Sequence, residues 1–357
     1  MKNLIKPKAL EKGDKIACVS LSSGLASAVS QRYQRAKKQV EESFGLHLVE
    51  MAHTLDTMDD IYQNPKNRLD DFMNAFLDPS IKGILTTIGG DDTIRLLNLM
   101  EDWHFDIIKN NPKVFLGMSD TTVNHFMCLK AGVSSFYSPS LLFGYGENGG
   151  IPPYIIENTK KTLFETNAIG VLPQSDFYIT EFLDFIEQDN IIRNTRKTSG
   201  WKFLGPKRKA TGRLIGGCLE VLNFVNGTKL WPSLSEWEDT ILFIETSEDK
   251  PDPSEVTYFL RNLAAQGILP LIKGILFARP GGEFLASEKL EEDAFIEGYK
   301  DYDNAILKVL KEYNIDIPVV THMDFGHTVP QVILPYGVLV EIDSCNEKVR
   351  ILEGGVI

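Results

Sequence analysis

The chain has 357 residues, 43% hydrophobic and 24% charged, the balance of an ordinary globular protein, and its length fits two domains of roughly 100–200 residues each. Its 37 Lys and Arg face 49 Asp and Glu, a net charge of −12, which argues against a general nucleic-acid binder, whose affinity rests on surplus cations facing phosphates, and against docking on anionic lipid. No window approaches the ~20 apolar residues needed to cross a bilayer.

The opening MKNLIKPKALEKGDK carries charges with no apolar stretch after them, so no signal peptide is expected and the cytoplasm is the expected compartment. The first half then repeats one phrase: a short apolar run, a Gly/Ser/Asp corner, an amphipathic stretch. Lys15–Ser20 is the first strand. Val29, Tyr33, Ala36, Val40 and Phe44 recur at helical steps, and Gly45 ends that helix before a second strand at His47–Met51. Leu69, Phe72 and Phe76 mark the next helix, and Gly83–Ile88 is a strand running into Gly89-Gly90-Asp91-Asp92. A helix through Ile94 and Leu97, a strand at Lys113–Leu116 and a helix over Asp120–Ala131 complete the pattern. Strands alternating with helices imply parallel pairing, so residues 1–165 read as a doubly wound α/β domain, whose ligands sit at the carboxyl ends of strands.

Residues 166–209 break the rhythm with aromatics (Phe177, Tyr178, Phe182, Phe185) and a basic run, and read as an ordered connection that overhangs a site. From 210 to 357 a second, smaller α/β domain is expected. Gly212–Gly216 leads into a helix from about Cys218 to Val225. Thr240–Glu245, Gly274–Ala278 and Val319–Thr321 are strands, with helices at Pro253–Ala265 and through Tyr299 and Leu310, and the chain ends in β structure at Gln331–Leu334, Val338–Asp343 and Lys348–Leu352. Cys18, Cys128, Cys218 and Cys345 are too scattered for a disulfide framework or a zinc site.

Three stretches carry chemistry. In Val114–Thr122 an apolar strand ends in Gly117-Met118-Ser119-Asp120 and a helix starts at once, the layout of a nucleophile elbow, although Thr121 stands where a second glycine is usual. The alternative is that Ser119 or Asp120 caps the helix. Of six histidines, His47, His53, His104 and His125 read as packing or surface residues, whereas His322 and His327 share a loop after a strand, with Gly326 to bend it. His322, Asp324 and His327 are also candidate metal ligands, but nothing nearby completes a motif. Glu245 ends an apolar strand, where a buried carboxylate needs a partner such as an imidazolium; the alternative is an exposed strand end. Gly89-Gly90 would let backbone amides approach a ligand, though no phosphate-binding motif is present.

Taken in order, Gly89-Gly90, Gly117-Met118-Ser119-Asp120, Gly216-Gly217-Cys218-Leu219, Glu245-Thr246 and Phe325-Gly326-His327 resemble the LD-carboxypeptidase family of serine peptidases over nearly the whole chain. Gly212–Glu220, His322–Gly337 and the aromatic insertion look closest to its microcin-immunity branch. The resemblance implies a flavodoxin-like N-terminal domain, a catalytic set of Ser119, Glu245 and His327, and an oxyanion hole of the Gly90 and Asp120 backbone amides. It also implies Trp201 as an aromatic stacking on a nucleobase, a site between the domains, and a homodimer. No metal or organic cofactor is implied. The expected substrate is a small peptide or peptidyl-nucleotide, with a muropeptide stem as the alternative and a non-catalytic ligand-binding protein as a further one.

Overall fold

The computed structural model describes residues 3–281, 283–284 and 292–357. The N-terminal sheet runs His47–Glu50, Lys15–Val19, Ile81–Thr86, Val114–Gly117, Phe136–Tyr137, all parallel. Numbered along the chain this order is 2-1-3-4-5, the flavodoxin-like doubly wound arrangement. Its strands are apolar and buried because helices cover them; the helix Ser30–Phe44 lays the stripe Tyr33, Ala36, Val40, Phe44 inward and stops at Gly45, whose φ of 70° suits glycine. The stretch after Asp92 is tighter than expected: Thr93–Leu99 is a 3-10 helix, and a separate α-helix spans Asp102–Asn110. The first of these is anchored at its start, where the Thr93 N–H donates to the Asp120 carboxylate at 2.8 Å.

The second sheet has eight strands, in the order Lys202–Leu204, Val319–Met323, Ile272–Ala278, Thr240–Glu245, Lys209–Cys218, Leu339–Asp343, Lys348–Ile351, Gly170–Val171. Its central four are parallel and its flanks antiparallel. The glycine-rich stretch closes the ten-residue strand Lys209–Cys218 and leads, as expected, straight into the helix Leu219–Val225. At Gly216 a Cβ would overlap the Phe243 carbonyl of the adjacent strand, so only glycine lets the two backbones pair so closely. Residues 166–209 supply both edge strands of this sheet and are therefore woven into it.

The two sheets share one hydrophobic core. Leu334–Pro335, from the C-terminal half, adds an antiparallel strand to the N-terminal sheet beside Phe136–Tyr137. The Cys218 N–H donates to Thr122 Oγ1 at 3.2 Å, and the Tyr336 hydroxyl donates to the Gly216 carbonyl at 2.6 Å. This packing brings together the carboxyl ends of three strands: Ser119 follows Val114–Gly117, Glu245 closes Thr240–Glu245, and His327 lies just beyond Val319–Met323. Among the described residues no helix is long and apolar enough to cross a membrane.

Candidate active site

Ser119 sits at the corner between strand and helix with φ of 60°, a left-handed conformation that costs a non-glycine residue about 1–3 kcal/mol and persists only where the surroundings impose it. Those surroundings are visible. The Ser119 N–H donates to the Tyr137 hydroxyl oxygen at 3.0 Å. One corner away, a Cβ on Gly89 would lie 2.8 Å from Ser119 Cβ, so glycine is what lets that loop close over the serine. Below the corner the buried imidazole of His125 donates from Nε2 to the Gly117 carbonyl at 3.0 Å and accepts at Nδ1 from Ser135 Oγ at 2.8 Å; burial pushes its pKa down to about 3, so it is a neutral structural strut.

Neither Ser119 nor Asp120 caps the helix. The 3-10 turn Ser119–Thr121 and the α-helix Thr122–Ala131 both start without a side-chain cap hydrogen bond. Asp120 is instead fully buried, and its carboxylate accepts from Ser22 Oγ at 2.6 Å and from the Thr93 N–H and Oγ1. It pins the loops after the first and third strands to the serine corner. Gly90 follows in one of these loops with φ of 155°, where a Cβ would strike Ser22 Oγ, and it lines the same cleft as Ser119.

Glu245 is 0% exposed, so the exposed strand end foreseen as an alternative is not what forms. Its Oε2 accepts from His327 Nδ1 at 2.6 Å, and its Oε1 accepts a short hydrogen bond from the Tyr137 hydroxyl. Tyr137 therefore joins the backbone of Ser119 to the carboxylate that holds His327. Gly326, with φ of 80°, packs directly on Glu245, and a Cβ there would come within 2.7 Å of Glu245 Cβ. The other imidazole nitrogen of His327, Nε2, lies 3.1 Å from Glu248 Oε2.

Burial alone would push the His327 pKa down, but the Glu245 and Glu248 carboxylates outweigh it and hold the imidazolium, raising the pKa to about 9. Folded-state stability from this pairing is thus fully present below about pH 6.5 and is lost as pH rises through about 9. A charged imidazole cannot accept a proton, so kcat/KM should rise with pH toward about 9. Glu248→Gln removes one of the anions and should move that limb to lower pH; a pH–rate profile of both proteins checks the sign, and an unmoved or raised limb would contradict it.

The candidate metal set disperses. His322 Nε2 lies 3.3 Å from Asp303, Asp324 pairs with Arg279 at 2.9 Å, and His327 with Glu245. Among the described residues no three His, Cys, Asp or Glu side chains are grouped to hold a metal. Trp201 is 7% exposed, its indole N–H donates to Asp324 at 2.8 Å, and it is not among the residues lining the cleft. The aromatics that do line it are Phe143, Phe182, Phe185 and Phe224.

Ser119 and His327 open on this cleft, which has a volume of about 640 Å³. Sequence reasoning missed Tyr137 and Glu248. Tyr137 lies on a two-residue strand with no periodicity to reveal it. Glu248 lies three residues beyond the strand end in an acidic turn, where nothing local marks one carboxylate from the next.

Comparison with known proteins identifies the family. Residues 16–138 match the LD-carboxypeptidase N-terminal domain and residues 211–342 the LD-carboxypeptidase C-terminal domain. The MccF-like protein from Streptococcus pneumoniae, solved in complex with AMP, is 32% identical, with 95% of this chain and 98% of that chain covered at a TM-score of 0.82. The Escherichia coli microcin C7 self-immunity protein MccF is 28% identical over 96% of this chain and 94% of its own. A structure of MccF in complex with aspartyl sulfamoyl adenosine superposes at a TM-score of 0.81, with 26% identity, covering 99% of this chain and 100% of that one. A Bacillus subtilis protein named "Probable murein peptide carboxypeptidase" is 26% identical over 98% of this chain and 95% of its own. The chain belongs to the LD-carboxypeptidase family and is a serine peptidase or amidase.

Proposed function

We propose that the protein hydrolyses the acyl–nitrogen bond joining an aminoacyl or peptidyl group to a nucleotide, with Ser119 as nucleophile, His327 as base and then acid, and Glu245 orienting His327. The observation that carries this reading is the buried 2.6 Å pair of Glu245 and His327 opening on the same cleft as Ser119. Ser119 attacks the carbonyl carbon while His327 Nε2 takes the hydroxyl proton and later gives it to the departing nitrogen. Water then repeats the sequence on the acyl-enzyme. The Gly90 and Asp120 amides supply the oxyanion donors, worth roughly 3 kcal/mol each in serine proteases. Glu245 fixes the tautomer with Nδ1 protonated and stabilises the imidazolium that forms.

The nucleotide half of the reading is supported by the relatives bound to AMP and to aspartyl sulfamoyl adenosine, and by the phenylalanines lining the cleft, since base–aromatic stacking is worth ~1–3 kcal/mol per base. Removal of a terminal D-amino acid from a muropeptide is the alternative. It calls for a cation to hold the free carboxylate, and the described cleft-lining residues include no Lys or Arg. The test is hydrolysis of norleucyl sulfamoyl adenosine beside a muropeptide tetrapeptide ending in D-Ala. The nucleotide should have the higher kcat/KM; a preference for the tetrapeptide would transfer the protein to cell-wall recycling.

A further inference from the structure

The charge of the cleft is one-sided. Asp91, Asp184, Glu220, Glu248 and Asp249 line it, and His327 is the sole potential cation among its described lining residues. Arginines lie near the aromatic wall but are neutralised elsewhere. Arg32, over Phe185, pairs with Asp189 at 3.3 Å, and Arg193, over Phe143, pairs with Glu147 at 2.6 Å. Neither lines the cleft.

Two of these carboxylates are already engaged within the protein. Glu220 accepts from the Ser247 N–H at 3.0 Å and from its hydroxyl at 2.5 Å, and so positions the loop that bears Glu248 and Asp249. Asp184 accepts from the Ile186 and Glu187 amides. Glu248 is different, because its carboxylate lies 3.1 Å from His327 Nε2, the nitrogen that must be free to take the Ser119 proton. Turnover thus requires Glu248 to leave the imidazole, and a carboxylate leaves an ion pair most readily for another cation. A second feature asks for a polar group on the ligand, and an ammonium or guanidinium N–H can supply it. Ser140, in the same lining, is 1% exposed, and its hydroxyl has no hydrogen-bond partner among the described residues; such a buried oxygen is normally paired.

We propose that the acyl group of the substrate carries a positive charge beside the scissile bond, and that this cation draws Glu248 from His327 and so frees the base on binding. This rests on the amidase reading of the site and names the chemistry that the site selects. The cation is an ammonium or guanidinium, supplied either by a free α-amine or by a basic side chain. The cleft aromatics suit the same charge, since ring faces attract ammonium and guanidinium groups. Acidic acyl groups are disfavoured by the same five carboxylates.

Four sulfamoyl adenosines separate the possibilities: lysyl, norleucyl, N-acetyl-norleucyl and glutamyl. Lysyl against norleucyl reads the side chain, and norleucyl against its N-acetyl form reads the α-amine. At least one of these pairs should show a preference for the more cationic member of about tenfold or more in kcat/KM, the scale of one hydrogen bond to a charged group. That preference should shrink toward unity in Glu248→Gln. Glu248 is a part-exposed loop residue, so the variant is expected to fold. A glutamyl compound preferred over norleucyl, or no preference in either pair, would overturn the proposal.

Dissociation constants of Ser119→Ala for the same four compounds separate this from the amidase reading. No hydrolysis by the wild type together with tighter binding of the cationic members sinks the amidase reading and keeps the charge preference. Hydrolysis that favours glutamyl does the reverse, and no binding of any of the four overturns both.

Discussion

Ser119→Ala is expected to lower kcat by roughly a millionfold, the scale seen when a serine hydrolase loses its nucleophile. The loss should appear in kcat far more than in substrate binding, because the hydroxyl forms its bond only as the reaction proceeds. Folding should be retained, since the restraints on the corner come from the backbone and its neighbours. The Ser119 N–H still reaches Tyr137, and Asp120 still pins the adjacent loops. Single-turnover kinetics and a thermal melt of the variant check both halves. A residual rate within tenfold of wild type would remove Ser119 from the chemistry.

Glu245→Gln is expected to cost about a thousandfold to ten-thousandfold in kcat, as when the acid of a related triad is replaced by its amide. The cause is local. Glu245 is fully buried and accepts both the His327 Nδ1–H and the Tyr137 hydroxyl. A glutamine offers one carbonyl oxygen for these two donors, so the amide either leaves a buried donor unpaired or turns the imidazole to the wrong tautomer. Loss of the anion should also lower the His327 pKa from about 9, moving the rising limb of the pH profile down, even as the maximal rate falls. A purely structural Glu245 would lower stability without moving that limb.

The sequence and the structure meet where local pattern decides the outcome. The strand of Val114–Gly117, all four residues buried, and the stripe of the helix Ser30–Phe44 follow from apolar spacing. Glu245 at the end of an apolar strand was legible as a carboxylate needing a partner, and the ordered resemblance designated His327 as that partner. The structure brings them to 2.6 Å although 82 residues separate them. What was not legible depends on tertiary placement. Phe136–Tyr137 and Gly170–Val171 are two-residue strands, too short to show any period, and they exist because an existing sheet edge accepts them; the β run expected at Gln331–Leu334 shrinks to Leu334–Pro335 for the same reason. Residues 166–209 looked like a connection because nothing local shows that both ends pair with strands far along the chain. Trp201 was chosen by resemblance within the aromatic insertion. Its burial follows from Asp324, a residue 123 positions away that accepts its indole N–H. Glu248 was equally hidden: the loop beyond the strand folds back so that it meets the outer nitrogen of His327, opposite Glu245 on the inner one.

The central claim is that Ser119 is the activated nucleophile of this cleft, and covalent labelling by a fluorophosphonate tests it most directly. A fluorophosphonate, whose fluoride the serine oxygen displaces to leave a phosphonylated enzyme, reports on nucleophilicity without requiring knowledge of the natural substrate. Intact-mass and peptide-mapping analysis of the wild type should show a single adduct on Ser119. Labelling should be absent in Ser119→Ala and slowed in Glu245→Gln. An adduct on another residue, or continued hydrolysis by fully labelled protein, would contradict the account.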